Sequence, residues 1–449
     1  MKILFKSLST VQIILLAFLS VILAGSLLLR LPICAADNKA VSYIDALFTA
    51  TTSTCVTGLV TVPTVTTWSF WGQLVILSLI QIGGMGVITV MAGFMILIKK
   101  KLGIEDRILI GDSFNLNSFA GMVRFVKKVI FLTLIIEGIG ALLYMTVFVP
   151  AFGRKGIWIS IFTSVSAFCN AGIDIIAENS LCNYVRNPIV NFTTMFLIIS
   201  GGIGFIVLLD LGRILKNKKR RHVRFLRLHS KIALCVTLFL IITGAIAFFI
   251  FEYNNPNTIK DYTLVEKIMV SLFQSVTTRT AGFASLPQEN LTDASALVSM
   301  LLMFIGGSPA GTAGGIKTVT WFVLLASARS VAKNKRTVDV FNRQLSADVI
   351  KRAGAVFVTS LFIVICSTIM VSALSDYNFL DVLYETISAT ATVGLSRGFT
   401  GSLNNIGKMI IIFTMYLGRV GPISLLFACS INKNNENIIM NPVEEISVG

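Results

Sequence analysis

Long apolar runs separated by short polar segments recur along the whole chain. Eight of these runs lie at 11–30, 72–98, 129–149, 189–212, 232–251, 294–327, 353–374 and 408–430. A run of about 18 or more apolar residues is typical of a membrane-spanning helix. The pattern therefore predicts an all-α polytopic membrane protein with eight spans, the sixth of which is interrupted by glycine and proline.

Composition supports this class and excludes the soluble ones. Of the 449 residues, 55% are hydrophobic and only 13% are charged, against about 25% charged in ordinary globular domains. The seven cysteines contain no CxxC pair, which argues against a disulfide scaffold or a structural zinc site. Neither a GxxxxGKS phosphate loop nor a GxGxxG fingerprint occurs. We therefore expect no cofactor in this chain and no enzyme activity.

The basic residues indicate how the chain is oriented. Lys and Arg number 38 against 22 Asp and Glu, and 26 of them lie in the segments 1–10, 99–128, 213–231, 328–352 and 431–449. These five segments alternate with the spans, so the positive-inside rule places them, with both termini, in the cytoplasm. The basic run 213–221 then meets anionic lipid headgroups of the bilayer, and we expect no nucleic-acid partner.

One segment rich in small and hydroxylated side chains recurs four times between spans. Each copy begins with an aromatic residue and ends with a glycine: Phe48 to Gly58, Phe162 to Gly172, Phe273 to Gly282 and Tyr384 to Gly394. The glycines are 114, 110 and 112 residues apart, the length of one span–loop–span unit. We therefore predict four repeats at 1–112, 113–220, 221–345 and 346–449. Their pore loops are expected near 44–60, 158–174, 268–284 and 380–396.

These loops have the chemistry of a cation pathway. Irregular backbone at membrane depth is tolerated only where protein or water surrounds it, so four re-entrant loops indicate a pseudo-fourfold pore. A glycine lets successive carbonyl oxygens turn inward and replace the hydration shell of an ion. The predicted selectivity-filter residues are Val56, Thr57, Gly58, Asn170, Ala171, Gly172, Thr280, Ala281, Gly282, Thr392, Val393 and Gly394.

The four loops and their glycines resemble the membrane subunits of Ktr-type potassium uptake systems, in the Trk/Ktr/HKT superfamily. The resemblance covers the whole chain and implies one potassium pore built from four repeats of a single polypeptide. All four filter positions carry glycine, whereas some sodium-transporting plant members have serine at the first.

The same resemblance implies partners. It implies a homodimer in the cytoplasmic membrane that sits on a cytoplasmic ring of nucleotide-binding RCK subunits. The basic inner loops and the tail near Glu444 and Glu445 are the expected contacts. K⁺ is the implied transported ion, and any dependence on Na⁺ is left open.

A second glycine cluster interrupts the sixth span. It reads Gly306, Gly307, Ser308, Pro309, Ala310, Gly311, Thr312, Ala313, Gly314 and Gly315. Five glycines and a proline in ten residues cannot form a regular helix at low cost, so we expect a mobile intramembrane loop. The resemblance assigns this loop, 306–315, the role of a gate.

Charged residues in or beside the spans are the remaining candidates. A charge in an apolar span is costly and by default functional, so Arg419 is a candidate, with snorkelling to the interface as the alternative. The resemblance implies that Arg419 lies at the pore constriction, where its charge would brace the gate loop and raise a barrier to cations. Lys317 either shares that role or reaches the inner headgroups. Glu137 and Asp210 are candidates for a proton relay or, more simply, for contacts between helices.

One rival function comes from another class of protein. In an alternating-access cation symporter, the broken sixth span would bind the substrate. That mechanism usually shows paired broken helices in inverted halves, whereas here one predicted break accompanies four parallel loops. The sequence therefore favours a passively conducting, gated pore.

Overall fold

The computed structural model describes residues 10–97, 103, 111, 121–216 and 226–421. In chain order its helices are α1 (Thr10–Leu29), α2 (Tyr43–Cys55), α3 (Thr64–Thr67), α4 (Phe70–Met85), α5 (Val87–Leu97), α6 (Met122–Phe152), α7 (Lys155–Cys169), α8 (Pro188–Gly202), α9 (Phe205–Lys216), α10 (Leu228–Glu252), α11 (Leu264–Thr277), α12 (Asp293–Phe304), α13 (Thr318–Ala332), α14 (Ala347–Ser372), α15 (Phe379–Thr390) and α16 (Asn405–Val420). Within the described ranges the strands are β1 (Asp339–Val340) and β2 (Arg343–Gln344), which pair antiparallel.

Four long apolar helices begin the four predicted repeats. The helices α1, α6, α10 and α14 are each long and apolar enough to cross a membrane. Their outer faces expose large apolar side chains such as Phe131, Leu142, Leu238 and Phe362. An apolar belt of this extent needs a lipid bilayer to cover it. The chain is therefore an all-α polytopic membrane protein, as its hydrophobic pattern predicts.

A shorter pore helix follows each of these long helices and packs against it. The pore helices are α2, α7, α11 and α15, and their inward residues are small or hydroxylated. In two repeats a serine fastens the pair, because Ser164 Oγ donates to the Glu137 carbonyl at 2.6 Å and Ser275 Oγ to the Ile241 carbonyl at 2.8 Å. Hydroxyls that bond to backbone carbonyls allow these short helices to be buried.

The start of the third pore helix shows how these helices are capped. Thr263 Oγ1 accepts the Glu266 N–H at 3.4 Å, and Glu266 Oε2 accepts the Thr263 N–H at 2.9 Å. This reciprocal pair is a capping box, which satisfies donors that the first helical turn leaves free. Because the Thr263 N–H and hydroxyl stabilise the carboxylate, the pKa of Glu266 lies below its ordinary value.

Within the described residues the second, fourth and sixth spans are broken helices. The pairs α4–α5 and α8–α9 are bent by 97° and 98° at breaks of a few residues. In the sixth span, α12 and α13 are separated by the glycine-rich segment. The helix α16 ends at Val420, and the described part of the chain ends at the next residue, Gly421. The expectation that only the sixth span is interrupted is therefore wrong, because glycine clusters also end α4 and α8.

The four repeats close into a ring. The first half of each second span packs against the pore helix of the next repeat, giving the pairs α4–α7, α8–α11, α12–α15 and α16–α2. The last pair returns from the fourth repeat to the first. An ion pair reinforces it, since Lys408 Nζ lies 2.8 Å from Asp45 Oδ1. The arrangement is that of four span–pore-loop–span units around a pseudo-fourfold axis.

Candidate functional site

The same left-handed turn follows each pore helix within three residues of its end. The residue at or just beyond its end is left-handed in every repeat: Val56 (φ 57°), Asn170 (φ 60°), Thr280 (φ 67°) and Thr392 (φ 50°). Two residues later comes a glycine, Gly58, Gly172, Gly282 or Gly394, with φ of 99°, 65°, 81° and 95°. Left-handed residues other than glycine are uncommon. Four at equivalent positions mean that the surrounding structure enforces the same turn in each repeat.

The four glycines meet each other in a closed ring. A Cβ built on each would lie 2.4 Å from the Ala171 oxygen at Gly58, 2.6 Å from the Ala281 oxygen at Gly172, 2.4 Å from the Val393 oxygen at Gly282 and 2.2 Å from the Thr57 oxygen at Gly394. Every glycine therefore contacts the carbonyl that precedes the glycine of a neighbouring repeat. No side chain fits at these positions, and backbone carbonyl oxygens line the point where the repeats meet.

The backbone N–H groups of the ring residues donate hydrogen bonds to acceptors on the pore helices that precede them. The Thr57 N–H donates to the Thr52 carbonyl at 2.8 Å and the Gly58 N–H to Thr52 Oγ1 at 2.9 Å. In the fourth repeat Ser388 plays the same part, accepting the Val393 N–H on its carbonyl at 2.8 Å and the Gly394 N–H on its hydroxyl at 3.0 Å. The hydroxylated residues of the repeat thus satisfy the irregular backbone, as its composition indicates.

The glycine-rich segment 306–315 lies next to the ring and against the break in the fourth span. The N–H groups of Ser308 and Thr312 donate to the carbonyls of Gly202 and Gly201 at 2.8 and 3.2 Å. The Phe205 N–H donates to the Ala310 carbonyl at 2.8 Å. The segment also reaches the fourth filter strand, since a Cβ on Gly314 would lie 2.0 Å from Thr392 Oγ1.

The two basic side chains predicted to act at the gate, those of Arg419 and Lys317, both bond to this segment. Arg419 Nη1 donates to the Thr312 carbonyl and its Nη2 to the Gly83 carbonyl of α4. Lys317 Nζ donates to the Ala313 carbonyl at 2.6 Å. Arg419 therefore joins the segment to the broken second span instead of snorkelling, and Lys317 also turns toward the segment.

Arg279 is a further cation at this site that the sequence pattern alone does not single out. It lies just beyond Thr278, which caps the third pore helix, and is only 6% exposed. It donates through Nη2 to the Gly306 carbonyl at 3.0 Å and through Nη1 to the Thr237 carbonyl at 3.2 Å. The equivalent positions hold Cys55, Cys169 and Ala391. An arginine at a position that is otherwise small is the signal that identifies it.

The two acidic candidates bond to groups other than the ring carbonyls. Glu137 accepts a hydrogen bond from Gln81 Nε2 at 3.2 Å, which joins α6 to α4. Asp210 pairs with Arg213 at 2.6 Å and accepts the Arg227 N–H at 3.0 Å. Both make helix-to-helix or local contacts. Among the described residues no group of three or more His, Cys, Asp or Glu could hold a metal ion.

Some predicted contacts cannot be placed. The tail with Glu444 and Glu445, the C-terminal part of the eighth predicted span from residue 422, the first nine residues and most of the basic run 213–221 lie outside the described residues.

Comparisons with known proteins agree with this architecture. The family model described as TrkH, cation transport protein, matches residues 3–440. The chain is 39% identical over 439 residues to Ktr system potassium uptake protein B of Bacillus subtilis, covering 98% of this chain and 96% of that protein. It is 37% identical over 450 residues to potassium/sodium uptake protein NtpJ of Enterococcus hirae, covering 99% and 98%.

A solved structure shows the same fold. The crystal structure of the potassium transporter TrkH from Vibrio parahaemolyticus matches with a TM-score of 0.77 at 18% identity, covering 95% of this chain and 86% of that one. Family model, relatives and fold agree along nearly the full length of the chain. The chain therefore belongs to the TrkH family of cation transport proteins and is a membrane transporter, not an enzyme.

Proposed function

We propose that this chain is the K⁺-translocating subunit of a potassium uptake system in the cytoplasmic membrane. The observation that carries the proposal is the ring in which Gly58, Gly172, Gly282 and Gly394 each contact a carbonyl of a neighbouring repeat. Carbonyl rings bind dehydrated cations. Relatives at 39% and 37% identity are named for uptake of potassium and of potassium and sodium.

Selectivity is assigned to the three filter residues of each repeat. The pore helices end at the ring, so the negative ends of their dipoles favour a cation there. The side-chain oxygens of Thr57, Thr280 and Thr392 are buried with no partner among the described residues. A hydrated or partly hydrated ion passing the ring would supply the hydrogen-bonding partner that these hydroxyls need.

The segment 306–315 is assigned the role of a gate. It lies beside the ring, and its backbone hydrogen bonds to residues 201–205 run between two repeats. Arg419 and Lys317 donate to its carbonyls. In the position seen here these positive charges raise an electrostatic barrier to a passing cation, so displacement of the segment together with them opens the path.

Orientation and partners follow from charge and family resemblance. The excess of Lys and Arg in these segments supports an orientation with both termini in the cytoplasm and the ring toward the outside. The chain is assigned to a homodimer that a cytoplasmic ring of nucleotide-binding RCK subunits regulates through the gate. The four repeats keep the boundaries 1–112, 113–220, 221–345 and 346–449.

The broken spans argue against an alternating-access mechanism. The interruption of the sixth span was the feature that favoured a substrate site there. The second and fourth spans are broken as well, by 97° and 98°, and the breaks recur in parallel with the pore loops. The break in the sixth span is therefore one of three that recur at the same place in successive repeats among the described residues.

Uptake in cells tests the proposal. A bacterial strain that lacks its own potassium uptake systems would express this chain alone or with a candidate RCK subunit, at limiting K⁺. We expect the chain to restore growth, and the RCK subunit to strengthen the rescue. Failure of a correctly inserted protein to restore growth in either condition would contradict the proposal.

A further inference from the structure

Two arginines occupy positions at the repeat boundaries that are otherwise filled by small residues. The residue before the left-handed turn in each pore loop is Cys55, Cys169, Arg279 or Ala391. The residue next to the first glycine of each span break is Gly84, Gly202, Gly307 or Arg419. Arg279 belongs to the first set and Arg419 to the second.

These two sets face each other across the boundaries between repeats. A Cβ on Gly84 of the first repeat would lie 2.5 Å from Cys169 Sγ of the second. Gly202 of the second repeat and Arg279 of the third line one small cavity. Arg419 of the fourth repeat donates through Nη2 to the Gly83 carbonyl of the first.

The two arginines therefore lie on opposite sides of the axis. Arg279 fills the boundary between the second and third repeats, and Arg419 fills the boundary between the fourth and first. Each boundary has room for one large side chain, because the opposing residue is a glycine or a cysteine.

Both guanidinium groups connect the segment 306–315 to a span outside it. Arg279 bonds to the Gly306 carbonyl and to the Thr237 carbonyl of α10. Arg419 bonds to the Thr312 carbonyl and to the Gly83 carbonyl of α4. The segment is thus held near its start and its middle from opposite sides.

Arg279 is buried, so its charge depends on the hydrogen bonds that it makes to the segment and to α10. Among the described residues no carboxylate pairs with Arg279, and its Nε has no acceptor. A buried cation is stabilised only by the groups that bond to it, which are here two carbonyl oxygens. Movement of the segment away from the ring would remove the Gly306 carbonyl, so Arg279 favours the position seen here.

We propose that Arg279 is a positioning residue that holds the segment 306–315 in its closed position, opposite Arg419. Arg279 directly precedes the filter residues Thr280, Ala281 and Gly282, so it also connects the position of the segment to the third filter strand. The inference rests on the proposed function, in which 306–315 is the gate.

Flux through purified protein in K⁺-loaded liposomes, without a regulatory subunit, tests this role. We expect Arg279→Ala to raise K⁺ efflux at least about fivefold per inserted protein, and Arg279→Lys, which keeps one charged donor, to give an intermediate rise. In a variant lacking residues 308–313, Arg279→Ala should add nothing, because the Gly306 carbonyl that Arg279 holds then no longer positions the deleted part of the gate.

Lys267→Met is the matched control. Lys267 is a buried cation on the same pore helix, 6% exposed, and donates to the Tyr253 carbonyl at 3.0 Å, away from the segment. We expect its efflux to equal that of the parent. A general loosening of the fold would raise efflux in this control as well, which would overturn the specific role of Arg279.

The deletion separates two kinds of failure. If removal of 308–313 leaves efflux unchanged, the proposal that the segment is a gate fails. If the deletion raises efflux but Arg279→Ala does not, or if Arg279→Ala gives the same further rise in the deletion background, the role of Arg279 is overturned. Should Arg279→Ala fail to insert, Arg279→Lys in both backgrounds gives the same test.

Discussion

At the scale of single residues, two independent constraints meet at each filter glycine. The backbone of Gly58 has φ of 99°, and a Cβ there would lie 2.4 Å from the Ala171 oxygen. Either constraint alone disfavours a side chain, and together they exclude one without movement of the ring. The carbonyl geometry that would select an ion thus depends on the absence of four methyl groups.

Replacement of one filter glycine should therefore weaken selectivity. We expect Gly58→Ser to lower the preference for K⁺ over Na⁺ at least about tenfold, equivalent to about 1.4 kcal/mol, because the Ala171 carbonyl must shift. Competitive uptake of the two ions by the same cells measures this preference.

Gly138→Ser serves as the control for that substitution. A Cβ on Gly138, on the exposed face of α6, would meet nothing within 4 Å. The control should keep the preference of the parent. An unchanged preference in Gly58→Ser as well would remove Gly58 from the filter.

The two arginines show what a sequence reveals about single residues. Arg419 could be identified because a charge within an apolar run is unusual in itself. Arg279 stands out only when the four repeats are aligned, because on its own it lies in a polar loop where a charge is ordinary. Its burial results from packing between α8, α10 and α11, and no local pattern encodes that packing.

At the scale of elements, the sequence predicted where the spans lie and that the sixth is interrupted, but not that the second and fourth bend. A glycine cluster in an apolar run is compatible with close helix packing as well as with a break. The breaks coincide with close contacts to the pore helices, since a Cβ on Gly83 would lie 2.0 Å from the Thr54 oxygen and one on Gly201 1.8 Å from the Phe168 oxygen. These contacts are tertiary, so the sequence of one span does not determine them.

Removal of part of the glycine-rich segment should change gating and leave the fold intact. We expect deletion of residues 308–313 to raise K⁺ flux in the absence of a regulatory subunit, because it removes the backbone hydrogen bonds of Ser308 and Thr312 to the fourth span. Efflux from K⁺-loaded liposomes measures the change.

The control for this deletion is a second, shorter deletion in the hairpin of β1 and β2, which follows α13. Removal of Phe341 and Asn342, which connect β1 to β2, shortens the chain outside the ring and should leave flux unchanged. A deletion of 308–313 that conducts at the parent rate would mean that the gate lies elsewhere.

At the scale of the whole molecule, the contact between α16 and α2 completes the ring. The Lys408 and Asp45 side chains that join these helices are 12% and 15% exposed and 2.8 Å apart. A mostly buried ion pair is costly to break on one side, because the remaining charge is left without its partner. The pair thus contributes to keeping the first and fourth repeats together.

A double-mutant cycle measures this contribution. We expect Lys408→Met and Asp45→Asn each to lower the free energy of unfolding by about 1–3 kcal/mol, and the double variant to lose less than the sum. Thermal unfolding in detergent reports the differences.

The Arg186–Glu266 ion pair is the control for the cycle at Lys408 and Asp45. It is 62% and 24% exposed with 3.6 Å between its atoms, and a surface pair of this kind contributes at most about 1 kcal/mol. Strictly additive effects at Asp45 and Lys408 would show that this pair does not couple the two repeats.

The spacing of four glycines was enough to predict four units around one axis. The spacing did not predict which elements of neighbouring repeats contact each other. In the structure, the second span of each repeat packs on the pore helix of the next. This packing depends on how the broken spans are shaped, and the breaks depend in turn on the contacts at Gly83 and Gly201. The fourfold repeat can therefore be predicted from the sequence, whereas the closure of the ring depends on contacts that form only in the folded molecule.

The central claim is that a ring of four backbone segments conducts K⁺ down its gradient. Its most direct test is ion flux through the purified chain in liposomes, with K⁺ or Na⁺ gradients imposed separately and no other energy source. We expect a passive K⁺ flux at least about tenfold larger than the Na⁺ flux. No K⁺ flux from correctly inserted protein, or K⁺ movement only when a second ion gradient is imposed, would contradict the claim.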